Sequence, residues 1–259
     1  MNQPLWLLES LRCPETGDRL QQEGDLLVRS DGSSYRVIRG IPSLVFPPTL
    51  GVEDARWQRF YDAFAPFYDL NERVFARLLA GLDVVAERER MISLLGLQGS
   101  MSVLEVSPGP GVYQPYIRAR IGSDARYAAV DLSMGMLRQC QKRHGDLNVS
   151  LIHANGSRLP FADASFDALF HFGGVNLFDE PEQALSEFVR VVRFGGIVSW
   201  GDERFSPSIP EGWKKRFLAR MNPGYLKQRP PVPKGLSDVK DLEVAAGYGY
   251  LIVATKSGS

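Results

Sequence analysis

The sequence predicts an α/β fold built on a Rossmann-like, mostly parallel sheet, and three observations carry that prediction. From about residue 100 onward, short apolar runs alternate with amphipathic stretches, the pattern of strands joined by crossover helices. A loop rich in Gly and Pro, Glu105-Val106-Ser107-Pro108-Gly109-Pro110-Gly111, follows the first run. The second run ends in a carboxylate, Asp131, 26 residues after Glu105. Ligands of open α/β sheets bind beyond such strand tips.

The elements follow in order. Residues 1–47 hold short β-prone runs, Leu26-Leu27-Val28 and Tyr35-Arg36-Val37-Ile38, split by turn signals at Thr16-Gly17 and Asp31-Gly32. They predict a small β-hairpin appendage that ends at the prolines after Phe46, since Pro does not fit a central strand. Residues 48–99 read as helical. Trp57, Phe60, Tyr61, Phe64 and Tyr68 recur at helical spacing, Pro66 divides the stretch, and Val84, Val85, Met91, Leu94 and Leu95 mark a second helix. Within residues 100–259, strands are expected at 102–106, 126–131, 149–153, 166–172 and 197–200, with helices at 112–121, 134–143 and 181–192. Two further strands, 242–244 and 248–255, lie too close together for a crossover and predict a C-terminal antiparallel hairpin. The sheet then has seven strands.

Composition narrows the function classes. The 259 residues are 44% hydrophobic and 23% charged, with 30 Lys and Arg against 30 Asp and Glu. That balance argues against nucleic acid as a partner. The two cysteines, Cys13 and Cys140, form no CxxC pair and provide neither a disulfide framework nor a four-ligand zinc site. No apolar run is long enough to span a bilayer, and Met1–Trp6 lacks the pattern of a signal peptide. A cytoplasmic protein is expected.

Each motif has a bland reading as well. The glycine loop alone is weak evidence of a ligand, and Asp131 also suits the cap of the helix that begins at Ser133. A third block, Arg158-Leu159-Pro160-Phe161-Ala162-Asp163-Ala164-Ser165-Phe166-Asp167, joins them in order. Together these motifs resemble those of class I S-adenosylmethionine (SAM)-dependent methyltransferases, in the branch that includes the ubiquinone and menaquinone methyltransferases. Glu187, Arg190, Gly195 and Gly196 fit the same pattern, with Phe194 where Pro is usual.

The resemblance implies a SAM site. Glu105 would hold the methionine end, with Gly109 and Gly111 admitting the cofactor against the backbone. Asp131 would take the ribose hydroxyls, followed by Leu132, with Met136 packed on the adenine. Asn155, followed by Gly156, stands where Asp commonly faces the adenine amino group, and Gly173 and Gly174 would line the methionine end. Ser107 replaces the first glycine of the family series and is counted with the site. Aromatic residues before the core, Tyr68 first and Tyr61 second, would close over the cofactor. Should the acceptor need to lose a proton, His171 and the pair Asp202-Glu203 are the candidate bases, against readings as a buried histidine and a solvated turn.

The acceptor is expected to be a small molecule. The basic and aromatic stretch 210–233 suggests one that is anionic with apolar parts. An RNA methyltransferase and a non-catalytic SAM-binding module remain as alternatives, and a second copy of the chain is left open as a partner. The segment around Cys13 resembles a degenerate zinc-ribbon-like module, and since one cysteine remains no metal is expected.

Overall fold

The computed structural model describes residues 3–65 and 83–258. Pro66, Phe67 and Tyr68 lie outside the described residues, so Tyr68 has no place in the site geometry below.

A short helix, α1 (Leu5–Ser10), leads into an antiparallel four-stranded sheet, β1 (Gln21–Glu23), β2 (Leu26–Val28), β3 (Ser34–Ile38) and β4 (Ile41–Pro42). Two helices follow, α2 (Val52–Phe64) and α3 (Val84–Ser93). The main sheet then assembles from β5 (Val103–Val106), β6 (Tyr127–Asp131), β7 (Ser150–His153), β8 (Phe166–Phe172), β9 (Val192–Glu203), β10 (Leu236–Val244) and β11 (Gly249–Lys256). Its crossovers are α4 (Gln114–Ile121), α5 (Met134–His144) and α6 (Pro181–Val191), and α7 (Trp213–Met221) fills the excursion after β9.

The strand order is β10-β11-β9-β8-β5-β6-β7. Strands β9, β8, β5, β6 and β7 run parallel, while β11 pairs antiparallel with β9 and with β10. This is the expected seven-stranded sheet with its terminal hairpin. The order reverses at β5, which has β8 on one side and β6 on the other. Loops leaving the carboxyl ends on the two sides of such a reversal diverge and open a crevice. All four residues of β5 are buried, as a central strand covered on both faces requires.

Two elements are longer than expected. β9 continues through Asp202 and Glu203 because β11 returns along it, pairing Gly249 with Glu203 and Tyr250 with Asp202. β10 begins at Leu236 rather than 242 as a largely exposed edge strand of mixed polarity, a pattern that carries little periodic signal.

The N-terminal sheet covers the far edge of the main sheet. Leu44 N–H donates to the His153 carbonyl at 2.7 Å, and Ser43 bridges His153 in parallel register. The free edge of β7 is thereby paired. Leu7, Leu11, Leu27 and Leu44 share one apolar core with Val130, Ile152 and Phe161.

Candidate active site

A cavity of about 650 Å³ opens above β5, β6 and β8, within the size range of small-molecule and cofactor sites. Its floor is the loop after β5. Ser107 sits there with φ of +55°, in the left-handed region that disfavours a Cβ by about 1–2 kcal/mol. A glycine would occupy this position without strain. Ser107 is held by its N–H bond to the Val130 carbonyl, 2.7 Å. Gly109, at φ +56°, has open space where a side chain would project, so the loop leaves room for a ligand to approach the backbone.

Asp131, at the tip of β6, faces the same cavity. Its carboxylate accepts from Gly109 N–H at 3.0 Å and Ser133 N–H at 2.8 Å. Burial nonetheless raises its pKa to about 6. The cap of α5 is made by Ser133 Oγ, which accepts from Met136 N–H at 3.1 Å, so Asp131 is not needed for that task. Leu132, Met136, Asn155, Gly156, Gly173 and Tyr61 all line the cavity with Ser107, Gly109 and Asp131.

Four residues expected at the site lie elsewhere. Glu105 is buried behind the loop, and Tyr127 Oη donates to its Oε2 at 2.7 Å. The two side chains stand on one face of paired strands, with Tyr127 opposite Val103. Desolvation raises the Glu105 pKa to about 7. Gly111 serves packing: a Cβ there would meet His144 Cδ2 at 2.8 Å and Cys140 Sγ at 2.9 Å. His171 is fully buried, and its Nδ1–H donates to the Val106 carbonyl at 3.0 Å. Its ring packs against Phe178 and Phe188, and burial lowers its pKa. It is a neutral core histidine and not a base at the cavity. Asp202 is buried as well, accepting from Gly174 and Glu203 N–H at 2.9 and 2.8 Å and from Asn176 N–H at 2.7 Å. It braces the turn after β8 with its acceptor capacity committed. Neither Asp202 nor Glu203 lies in a turn, because β9 extends through both.

Sequence reading missed the contribution of α2. Asp54, Gln58 and Asp62 recur every four residues and so share one helix face. Asp54 is buried, and its Oδ2 accepts from Asn155 Nδ2 at 2.9 Å. Its Oδ1 accepts from Asp179 N–H at 3.1 Å, while the Asp179 carboxylate receives the N–H groups of Glu53 and Asp54 in return. Gln58 Nε2 donates to the Leu132 carbonyl at 3.0 Å. Asp62 Oδ1 accepts from Ser133 Oγ at 2.6 Å and Gly135 N–H at 2.8 Å, at the N-terminus of α5. The four-residue spacing of these polar side chains was a usable signal, obscured by the aromatic stripe beside it.

On the β9 side, across β8 and β5 from Asp131, Glu203 lines the cavity with its carboxyl bonded to Asp202 and Asn222, and Met91, Tyr113, Phe172, Leu218 and Met221 add apolar lining. Burial, with Asp202 beside it, holds the Glu203 carboxyl well above the usual carboxylate range. Glu87 also lines this side, but Arg90 and Ala245 N–H hold its carboxylate and lower its pKa. Of the basic helix α7, Leu218 and Met221 reach the cavity. Lys214 and Lys215 instead lie over the rings of Tyr248 and Phe205.

The sheet reversal, the glycine loop and the carboxylate at the second strand tip are those of a class I SAM-dependent methyltransferase. Residues 104–199 match the methyltransferase domain family. The chain is 30% identical to the demethylmenaquinone methyltransferase of Listeria monocytogenes serotype 4a over 225 residues, 80% of this chain and 92% of that one. It therefore belongs to the methyltransferase family that includes the demethylmenaquinone methyltransferases. A fatty-acid O-methyltransferase of Mycolicibacterium smegmatis is 34% identical over 127 residues, covering 49% of this chain and 45% of that one. Among solved structures, the phosphoethanolamine N-methyltransferase 2 of Haemonchus contortus in complex with SAM shares the fold, with a TM-score of 0.55 at 13% identity. The match covers 67% of this chain and 53% of that one. The protein is an enzyme, a methyltransferase, and its cofactor is SAM.

Proposed function

We propose that this enzyme methylates a neutral, apolar acceptor bearing an acidic hydroxyl or carbon, of the lipid-quinol kind. The observation that carries the reading is Glu203, a half-buried carboxyl on the β9 side of a cavity that Met91, Tyr113, Leu218 and Met221 also line. An anionic acceptor fits poorly here, because a further negative charge beside the Asp202–Glu203 pair is unfavourable. The name of the relative matched over most of its length, a demethylmenaquinone methyltransferase, fits a neutral, apolar acceptor.

The cavity suits SAM: Gly109 gives the loop a bare backbone approach, and Asp131 offers acceptors to a ribose diol. Asp54 and Asn155, side by side with Met136 and Leu132 on the same wall, would receive the adenine amino group. SAM supplies a methyl group already activated by its sulfonium. The chain then has to orient the acceptor, exclude water and remove one proton. Glu203 takes that proton on its carboxylate, and Tyr113 and Leu218 help keep the acceptor face dry.

The test is transfer of labelled methyl from SAM to three pools: a naphthoquinol or polyprenyl-quinol, a fatty acid, and total RNA. Label in the quinol, lost in Glu203→Gln while S-adenosylhomocysteine (SAH) still binds, is the expected result. Glu203 acts as a base only when ionised, so kcat rises with pH through its elevated pKa, and the variant loses that slope. Label in RNA alone overturns the proposal.

A further inference from the structure

We infer that α7 is an interfacial helix that docks the mouth of this cavity onto an anionic lipid surface, an inference that rests on the apolar acceptor proposed above. Three outward residues of α7 at four-residue spacing are large and apolar: Trp213 is 72% exposed, Phe217 43% and Met221 54%. Residues four apart stack on one helix face. The inner face carries Leu218, buried at the cavity wall. Met221 belongs to both surfaces, since it is exposed and also lines the cavity. Phe60 of α2 does the same from the neighbouring rim, at 48% exposure. The apolar stripe therefore runs up to the opening through which an acceptor must pass.

Charge identifies the occupant. Across residues 212–237 every charged residue is Lys or Arg, in a chain balanced at 30 and 30 overall. Arg216 and Arg220 are exposed beside Phe217, and Lys227 follows next to exposed Leu226. Lys215 pairs with Glu211 at the start of the helix and Arg229 with Asp241, 2.5 Å, which leaves Arg216, Arg220, Lys227 and Lys234 as the exposed cations of this stretch. A tryptophan, a phenylalanine and arginines on one short helix suit insertion at the headgroup boundary of anionic lipid. A solvated surface helix would leave Lys or Glu, not Trp and Phe, at these positions. Among the described residues no helix is long and apolar enough to cross a membrane, and docking of this kind requires none. It delivers an apolar acceptor from the bilayer to Glu203 without passage through water.

The experiment is co-sedimentation of the full chain with phosphatidylcholine vesicles, with and without phosphatidylglycerol, at low and high salt. Binding is expected to the anionic vesicles, with a blue shift in tryptophan emission, and to weaken with salt. Arg216→Ala/Arg220→Ala is expected to reduce partitioning by roughly tenfold or more. Trp213→Ala/Phe217→Ala is expected to abolish it together with the emission shift. None of these four residues lines the cavity, so SAH binding stays unchanged and reports that each variant is folded. Normal SAH binding without vesicle binding overturns the inference and leaves the methyltransferase reading standing. So does RNA competing for the same arginines, or a dimer that is lost in Trp213→Ala/Phe217→Ala. Failure of the wild-type chain to transfer methyl to an apolar acceptor, with vesicle binding intact, removes the acceptor reading and not the docking surface.

Discussion

Asp54 and Asn155, on two different elements, are joined by one hydrogen bond at the cavity wall, proposed above as the adenine contact. Asn155 donates to Asp54 and uses its own carbonyl oxygen for Ser157 N–H, at 2.9 Å in both cases. That leaves the carboxylate as the stronger remaining acceptor for an exocyclic amino group. Asp54→Asn should therefore weaken SAH binding by about tenfold while scarcely changing the affinity for S-inosylhomocysteine, which carries an oxygen in place of that amino group. Calorimetry with both ligands checks this, and equal losses would mean that Asp54 serves only to hold α2. Asp131 makes a second, pH-dependent prediction. Its pKa is raised to about 6 by burial, so the stability it contributes when protonated is lost progressively as pH rises from near 4 through 6. Diol donors favour the ionised form. SAH affinity should accordingly rise as pH increases toward about 6 and level off above it, and Asp131→Asn should bind weakly with a flat profile.

At the scale of elements, α2 is held at each end and in the middle by polar side chains. Asp62 connects it to the N-terminus of α5, where the side chain complements free N–H groups and the helix dipole. Asp62→Ala should cost roughly 1 kcal/mol and raise hydrogen exchange across residues 52–64, with β5 and β6 unaffected. Addition of SAH should slow that exchange in the wild type if α2 closes over the ligand. The helical period of α2 and the strands β5, β6 and β8 were legible in the sequence, because apolar spacing records which face is buried. Asp131, Leu132, Met136 and Asn155 were legible as residues lining the cavity because order along the chain fixes which strand tips share an edge. His171 and Asp202 were not. Alternation places His171 on one of two faces without saying which face meets the cavity. Asp202-Glu203 after Gly201 resembles a turn until β11 pairs with it, a partner some fifty residues away. Tyr127, opposite Val103, similarly claims Glu105, a contact that depends on register across two strands.

At the scale of the molecule, the N-terminal sheet is bound into the same core as the catalytic sheet, and this has a consequence for unfolding. Leu44 is fully buried in a cluster shared with Val130 and Ile152, and its N–H extends the pairing of β7. Beside it Ser43 Oγ donates to His153 Nδ1 at 2.9 Å, and His153 Nε2–H donates to the carbonyl of Leu132 at 3.0 Å. Leu132 lines the cofactor cavity, so the sheet and the site are linked through one imidazole whose tautomer both partners fix. A loosely appended sheet would melt first and leave SAH binding intact. A shared core instead predicts that both parts unfold together. Leu44→Ala should lower global stability by about 2–5 kcal/mol, read as a shift of the urea midpoint with an unchanged slope. Fluorescence of Trp6 in the first segment and Trp200 in β9, each isolated by replacing the other tryptophans with Phe, should report coincident transitions. Two separated midpoints, with SAH binding surviving the first, would show that the N-terminal sheet is an independent unit.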